Sequence, residues 1–244
     1  MSSDAARHDV VWQNESLVNA FVQGVRGGIP YANDQIAIML RLLRANGEVK
    51  TFADLGCGSG VLTLPLLKEF PNARGVLLDF STPMLDAART QLNAFASQLQ
   101  FVQTDLASSE WMNASGETYD AIVSGFAIHH LTHERKRALY QEIFSRLNRG
   151  GIFINIEHVA SPTKWLEMQS DELLIDSLYA VHQKNGSGKT RAQVANEFVY
   201  RPDKVANILA LVERQCAWLR ESGFQDTDCY FKAFELAVFG GRRL

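Results

Sequence analysis

Thr51-Phe52-Ala53-Asp54-Leu55-Gly56-Cys57-Gly58-Ser59-Gly60, followed along the chain by Val76-Leu77-Leu78-Asp79, is the stretch on which the reading of this chain turns. Its pattern is that of a buried strand, a glycine turn, a helix, and a second strand ending in an acid. Gly56, Gly58 and Gly60 admit positive φ and let a ligand approach the main chain. An acid at the tip of the next strand grips a ribose through its hydroxyls. Dinucleotide folds carry G-x-G-x-x-G and set a pyrophosphate on the helix N-terminus. Here the spacing is G-x-G-x-G with an acid two residues ahead, which departs from the dinucleotide pattern.

Outward from this stretch, helices and strands alternate. Apolar residues recur at helical spacing over residues 14–24 and 31–43, with the breaker cluster Gly27-Gly28-Ile29-Pro30-Tyr31 between them as a loop able to fold over the ligand site. Residues 61–70 read as a helix and 74–78 as the second strand. Ser81 is placed as the N-cap of the next helix, with Pro83 in its first turn. Strands are expected at 99–103, 119–124 and 152–156, a helix at 133–148, and a Gly150-Gly151 turn ahead of the fifth strand. Such alternation implies βαβ units, a parallel sheet, and a ligand at the carboxyl ends of the strands. Residues 161–217 break it, with helical stretches at 165–183, 191–198 and 204–223. Residues 228–234 and 236–239 then read as two antiparallel strands.

The chain has 244 residues, 46% hydrophobic and 21% charged, which suits one well-buried domain. A net charge of -3 without a basic run argues against a nucleic-acid partner. Cys57, Cys216 and Cys229 are odd in number and scattered, which fits neither a disulfide framework nor a metal site. No metal is expected. With no apolar signal core and no stretch long enough to cross a bilayer, no membrane is expected as a partner, and the expected location is cytoplasmic.

The run Asp54-Leu55-Gly56-Cys57-Gly58-Ser59-Gly60 resembles motif I of the class I S-adenosylmethionine (SAM) dependent methyltransferases. The resemblance implies a Rossmann-like α/β fold: a mostly parallel seven-stranded sheet with an antiparallel C-terminal hairpin, an N-terminal helical flap over residues 1–50 and a helical lid over 161–217, all within one domain. It implies S-adenosyl-L-methionine as cofactor, S-adenosyl-L-homocysteine as product, and a small-molecule acceptor. By the same resemblance, Asp54 helps hold the ammonium group while the main chain of Gly56, Cys57, Gly58 and Gly60 lies along the methionine moiety. Asp79 accepts the ribose hydroxyls, Phe80 packs on the adenine, and Asp105 with Leu106 reads the adenine edge. Ser124 and Gly125 lie where donor and acceptor meet. Taken singly, Asp79 or Asp105 also has a minor reading as a helix N-cap.

The catalytic group is left unknown at this stage, since aligning nucleophile, methyl and sulfur demands no obvious base. His129, His130, Glu157, His158, Tyr200 and Arg201 are candidates. Trp165, Met168, Tyr179 and His182, with Tyr200, give the lid a role in acceptor selection, or else form its core or a dimer contact.

The layout also resembles that of the carboxy-SAM synthases of transfer RNA wobble-uridine modification, through Pro30-Tyr31-x-Asn33, the acid after strand two, the insertion, and Trp218-Leu219-x-x-x-Gly223-Phe224. That likeness implies a cofactor contact from Tyr31. It also implies an arginine of the insertion on an extra carboxylate, sometimes from the neighbouring subunit, so a homodimer is among the expectations. Two departures stand out: Gly58 where that branch has serine, and Gly125 where it has asparagine. Methyl transfer to a small molecule is therefore the leading expectation. Carboxyl transfer and a non-catalytic SAM-binding subunit are its rivals.

Overall fold

The computed structural model describes residues 28–113, 118–200 and 207–244. The helix expected over 14–24, the candidate Arg201 and most of the 1–50 flap lie outside them. Strands β1 (Thr51–Leu55), β2 (Arg74–Asp79), β3 (Leu99–Gln103), β4 (Tyr119–Gly125), β5 (Leu147–His158), β6 (Gln225–Ala233) and β7 (Leu236–Arg243) form one sheet in the order β3-β2-β1-β4-β5-β7-β6. The first five pair in parallel, while β7 runs antiparallel to both β5 and β6. The strand order reverses between β1 and β4, which opens a crevice at their carboxyl ends. This is the Rossmann-like class I methyltransferase sheet with its C-terminal hairpin.

The helices are α1 (Ala32–Asn46), α2 (Thr63–Glu69), α3 (Thr82–Gln91), α4 (His133–Arg146), α5 (Lys164–Lys184), α6 (Arg191–Val194) and α7 (Val212–Glu221). The central strands are mostly apolar because both sheet faces are covered. On β1, Phe52 joins the core under Met39, Leu43, Leu66 and Leu85, while Ala53 and Leu55 join the opposite core with Leu139, Ile143, Trp218 and Phe224. The same alternation runs along β5, where Ile152, Ile154 and Ile156 face one core and Phe153 the other. Ser81 caps α3 as expected, its hydroxyl accepting from the Met84 N–H at 3.3 Å.

Three expectations need correction. The helix read over 204–223 starts only at Val212, because tertiary partners hold the backbone of residues 207–211. The Ile208 N–H donates to the His129 carbonyl, and the Ile208, Leu209 and Ala210 carbonyls meet Lys136, His133 and Gln215. With its carbonyls engaged, that segment cannot close helical bonds. Helix α7 lies against α4, β6 and β7, so it covers the sheet. Of the residues expected to form a lid, α5, α6 and the π-helical turn Ala195–Val199 share their own small core of Ile175, Leu178, Val194 and Val199. Finally, Gly150 and Gly151 lie inside β5 at a register shift, with Gly150 at φ 82°. A Cβ on Gly151 would stand 2.9 Å from the Asn148 carbonyl and 3.1 Å from that of Tyr119, so these residues form a bulge within the strand.

Candidate functional site

The glycine turn adopts the conformation its composition demands. Gly56, Gly58 and Gly60 have φ of 66°, 53° and 81°, all left-handed. Two of the three glycines are also needed sterically: a Cβ on Gly56 would stand 2.2 Å from the Ala127 Cβ, and one on Gly60 2.6 Å from Leu92 Cδ1. A Cβ on Gly58 would meet only Met84 Sδ, at 3.9 Å, so space remains on that side of the turn. The Gly56 and Cys57 N–H groups both donate to the Leu78 carbonyl, at 2.7 and 3.0 Å, which fastens the turn to the end of β2.

Asp79 organises this corner. Its Oδ2 accepts from the Gly58 N–H at 2.8 Å and its Oδ1 from the Ser81 N–H at 2.9 Å. It therefore joins the glycine turn to the start of α3, and a carboxylate with about four lone-pair sites keeps acceptor capacity after two such bonds. Burial pushes its pKa up, while the N–H groups of Ser81, Gly58 and Phe80 pull it down. Asp54 is buried under the turn, and its Oδ2 accepts from the Thr63 hydroxyl at 2.7 Å at the start of α2. Cys57 is buried as well, its thiol pushed well up by burial and by the charges of Asp79 and Asp54.

One strand over, Asp105 Oδ1 accepts from the Ala107 N–H at 2.8 Å, shaping the turn after β3. Arg135 of α4 holds that loop from behind. Its Nε donates to the Leu106 carbonyl at 2.7 Å and its Nη2 to that of Ser108 at 2.8 Å, while Glu142 pairs with it bidentately at 2.7 and 2.6 Å. Sequence reading missed Arg135, because a residue that acts through backbone carbonyls leaves no motif. Ser124 departs from its expected role: it is fully buried, and its hydroxyl donates to the Leu55 carbonyl at 2.7 Å, so it braces β1 against β4. Gly125 ends β4, and Phe126 follows in the left-handed region at φ 53°.

Beyond the tips of β4 and β5 lies a buried polar cluster. Glu157 Oε1 meets His129 Nδ1 at 2.6 Å, and its oxygens also accept from the His129 and His158 N–H groups at 3.0 and 2.8 Å. Burial pushes the Glu157 carboxyl up, but His129, the His158 N–H and Lys136 outweigh it and hold the group below its ordinary range. His158 Nε2 meets Glu235 Oε2 at 2.9 Å, and the His129 and His130 rings lie 4.0 Å apart. Lys136 is fully buried, donating to the carbonyls of His129, Leu131 and Ile208, and burial pulls its pKa down to about 8. Three of the candidates, His129, Glu157 and His158, thus meet in one cluster, with His130 beside it. Tyr200 does not join them: it ends the lid's π turn, half exposed, its N–H directed to the Ala195 carbonyl.

A cavity of about 430 Å³ separates the start of α1 from the glycine turn, lined among others by Tyr31, Gln35, Ser59, Leu62, Phe126 and Ile156. Tyr31 stands at the N-cap of α1 at φ 58°, edge-on to Phe231 with ring centroids 5.8 Å apart. The left-handed glycine turn, an acid with spare acceptor capacity bonded to it and the cavity beside them make a set of residues that fits an adenosyl amino acid. Gln35 was legible as a polar residue in the buried stripe Gln35, Met39, Leu43, yet the sequence reading passed over it.

Comparison with known proteins agrees with this geometry. A family profile described as "Methyltransferase domain" matches residues 52–151. The carboxy-S-adenosyl-L-methionine synthase of Aeromonas hydrophila is 28% identical over 229 residues, 91% of this chain and 86% of that protein. An O-methyltransferase family protein from Burkholderia thailandensis superposes with a TM-score of 0.64 at 14% identity, covering 98% of this chain. The present chain spans only 63% of that structure's length. The N-methyltransferase NodS from Bradyrhizobium japonicum, solved with S-adenosyl-L-homocysteine, gives 0.56 at 16% identity, over 87% of this chain and 88% of that one. At such identities the structural likeness is one of fold. The matched domain, the sheet order and the relatives are similar to one class, the class I SAM-dependent methyltransferases, and support an enzyme that uses S-adenosyl-L-methionine. Within that class its layout is similar to that of the carboxy-SAM synthases. Among the described residues no helix is long and apolar enough to cross a membrane.

Proposed function

We propose that this protein transfers the methyl group of SAM to a small-molecule acceptor seated beyond the tips of β4 and β5. The His129–Glu157 pair is the observation that carries the reading. When bound, SAM supplies a methyl group already activated on a sulfonium, open to in-line displacement. The chain's task is alignment, water exclusion and the handling of one proton. The Glu157 carboxylate lies 2.6 Å from His129 Nδ1 and accepts its N–H, an orientation that in the neutral ring leaves Nε2 as the nitrogen with a lone pair. Nε2 takes the proton as an acceptor hydroxyl or amine gains its methyl group. Asp79 and the backbone of Gly56 to Gly60 hold the ribose and methionine parts. Asp105 and Leu106, braced by Arg135, hold the adenine.

Carboxyl transfer is the second reading, favoured by the names of the curated relatives. It needs a cation to receive an added carboxylate. Arg201, which lies at the insertion position that likeness points to, is outside the described residues; among the described ones near the strand tips, Lys136 is taken up by three carbonyls and Arg135 by Leu106, Ser108 and Glu142. Gly125, which offers no side chain where that branch carries asparagine, supports methyl transfer over it.

Incubation with SAM labelled in the methyl group and a small-metabolite extract is the test. The label is expected in one extract component as S-adenosylhomocysteine accumulates in step. A carboxylated SAM derivative that retains the labelled methyl, with no methylated product, would overturn the proposal.

A further inference from the structure

Lys136 is the buried charge that the assignments above leave without a role. Its ammonium donates to main-chain carbonyls: to His129 at 3.4 Å, to Ile208 at 2.5 Å, and to Leu131. Carbonyls satisfy an ammonium's hydrogen bonds but do not cancel its charge, and a fully buried charge calls for a counter-charge. Glu157, buried to the same degree, supplies it. The two ions bracket one residue. Lys136 takes the His129 carbonyl, while Glu157 takes the His129 backbone N–H at 3.0 Å and Nδ1 at 2.6 Å. Each charge also favours the ionised form of the other. His130 and His158 face the same residue, with ring centroids 4.0 and 5.8 Å from that of His129; Glu235 stands behind His158, and Tyr140 of α4 is close enough to feel Glu157. A carboxylate at hydrogen-bond distance favours the charged imidazolium, and a neighbouring cation opposes it. An imidazolium has no lone pair with which to take a proton.

We infer that Lys136 is a positioning residue for the proton transfer: its buried ammonium offsets the Glu157 carboxylate, so that His129 meets the acceptor as a neutral ring with Nε2 open. The inference rests on His129 as the proton acceptor and adds the group that keeps it fit to accept. A purely structural clip, in which Lys136 serves only the three carbonyls it joins, is the alternative.

The test is ring-nitrogen NMR of the whole protein labelled with nitrogen-15 histidine, with no SAM or acceptor present, the His129 signals being assigned from their loss in His129→Gln. Lys136→Gln keeps an amide that can donate and removes the charge. In that variant His129 should stay protonated to a higher pH than in wild type, by about one pH unit or more, the scale of one charge acting over a few ångströms inside a protein. Lys136→Arg returns the charge and should return the wild-type titration. Thermal melts give a second reading: the glutamine variant should lose more stability near pH 8 than near pH 6, because a protonated His129 replaces the missing cation at the lower pH. A His129 titration that stays put in Lys136→Gln, or that moves as far in Lys136→Arg, overturns the inference. So does a glutamine variant that is unfolded at both pH values, since the carbonyls would then be the whole of the role. Failure of the methyl-transfer reading shows separately, as the absence of a labelled product while the His129 titration still shifts.

Discussion

Asp79→Asn is expected to weaken binding of S-adenosylhomocysteine by about 100-fold or more while leaving a folded protein, and Asp79→Ala to remove measurable binding and stability together. The asparagine keeps one acceptor oxygen for the two backbone N–H groups that Asp79 now serves, at Gly58 and Ser81. Hydrogen bonds to an ionised partner contribute about 1.5–3 kcal/mol each, so losing the carboxylate's acceptance of both ribose hydroxyls accounts for two decades of affinity. Alanine goes further, because it strands two donors in a corner where Asp79 is only 7% exposed. Each stranded donor costs about 1–3 kcal/mol. Calorimetric titration together with a thermal melt separates the two outcomes. Unchanged affinity in the asparagine variant would remove Asp79 from the ligand site and reduce it to a cap for α3.

The glycines of the turn should respond unequally. Gly56→Ala meets two penalties: a left-handed backbone at φ 66°, and a Cβ placed 2.2 Å from the Ala127 Cβ. The first costs about 1–2 kcal/mol and the second about 1–3 kcal/mol. At this chain length the sum lowers the melting temperature by roughly 4–20 °C. Gly58→Ala meets the backbone penalty alone, since its Cβ finds nothing nearer than 3.9 Å. It should melt within a few degrees of wild type and still bind S-adenosylhomocysteine poorly, because the new methyl group enters the space on that side of the turn. Equal melting temperatures for the two variants would contradict this division of roles.

Much of this was legible in the chain because the relevant physics is local. Strand–turn–helix punctuation around Gly56 to Gly60, the Ser81 cap and the apolar strands at 99–103, 119–124 and 152–156 each follow from a few neighbouring residues, and each stands close to where it was expected. What was not legible depends on partners far along the chain. Residues 207–211 carry a helical apolar pattern, but Lys136 and His133 reach them from more than sixty positions away and hold their carbonyls extended. Tertiary capture of backbone groups overrides propensity there. The same holds for Arg135, whose effect on the loop after β3 passes through main-chain oxygens that any residue would supply. Ser124 was misjudged for the converse reason: its position at a strand tip suggested a ligand contact, whereas the pleat turns its side chain inward. The His129–Glu157 pair shows how far a sequence goes: both residues were candidates, and only the fold brings them within 2.6 Å.

The central claim is that the crevice over the glycine turn holds SAM itself. Mass spectrometry of the nucleoside released when the purified protein is denatured tests that claim most directly. S-adenosylmethionine or S-adenosylhomocysteine is the predicted result, in amounts that fall away in the Asp79→Asn variant. A carboxylated derivative of SAM in their place, or a dinucleotide, would contradict the account.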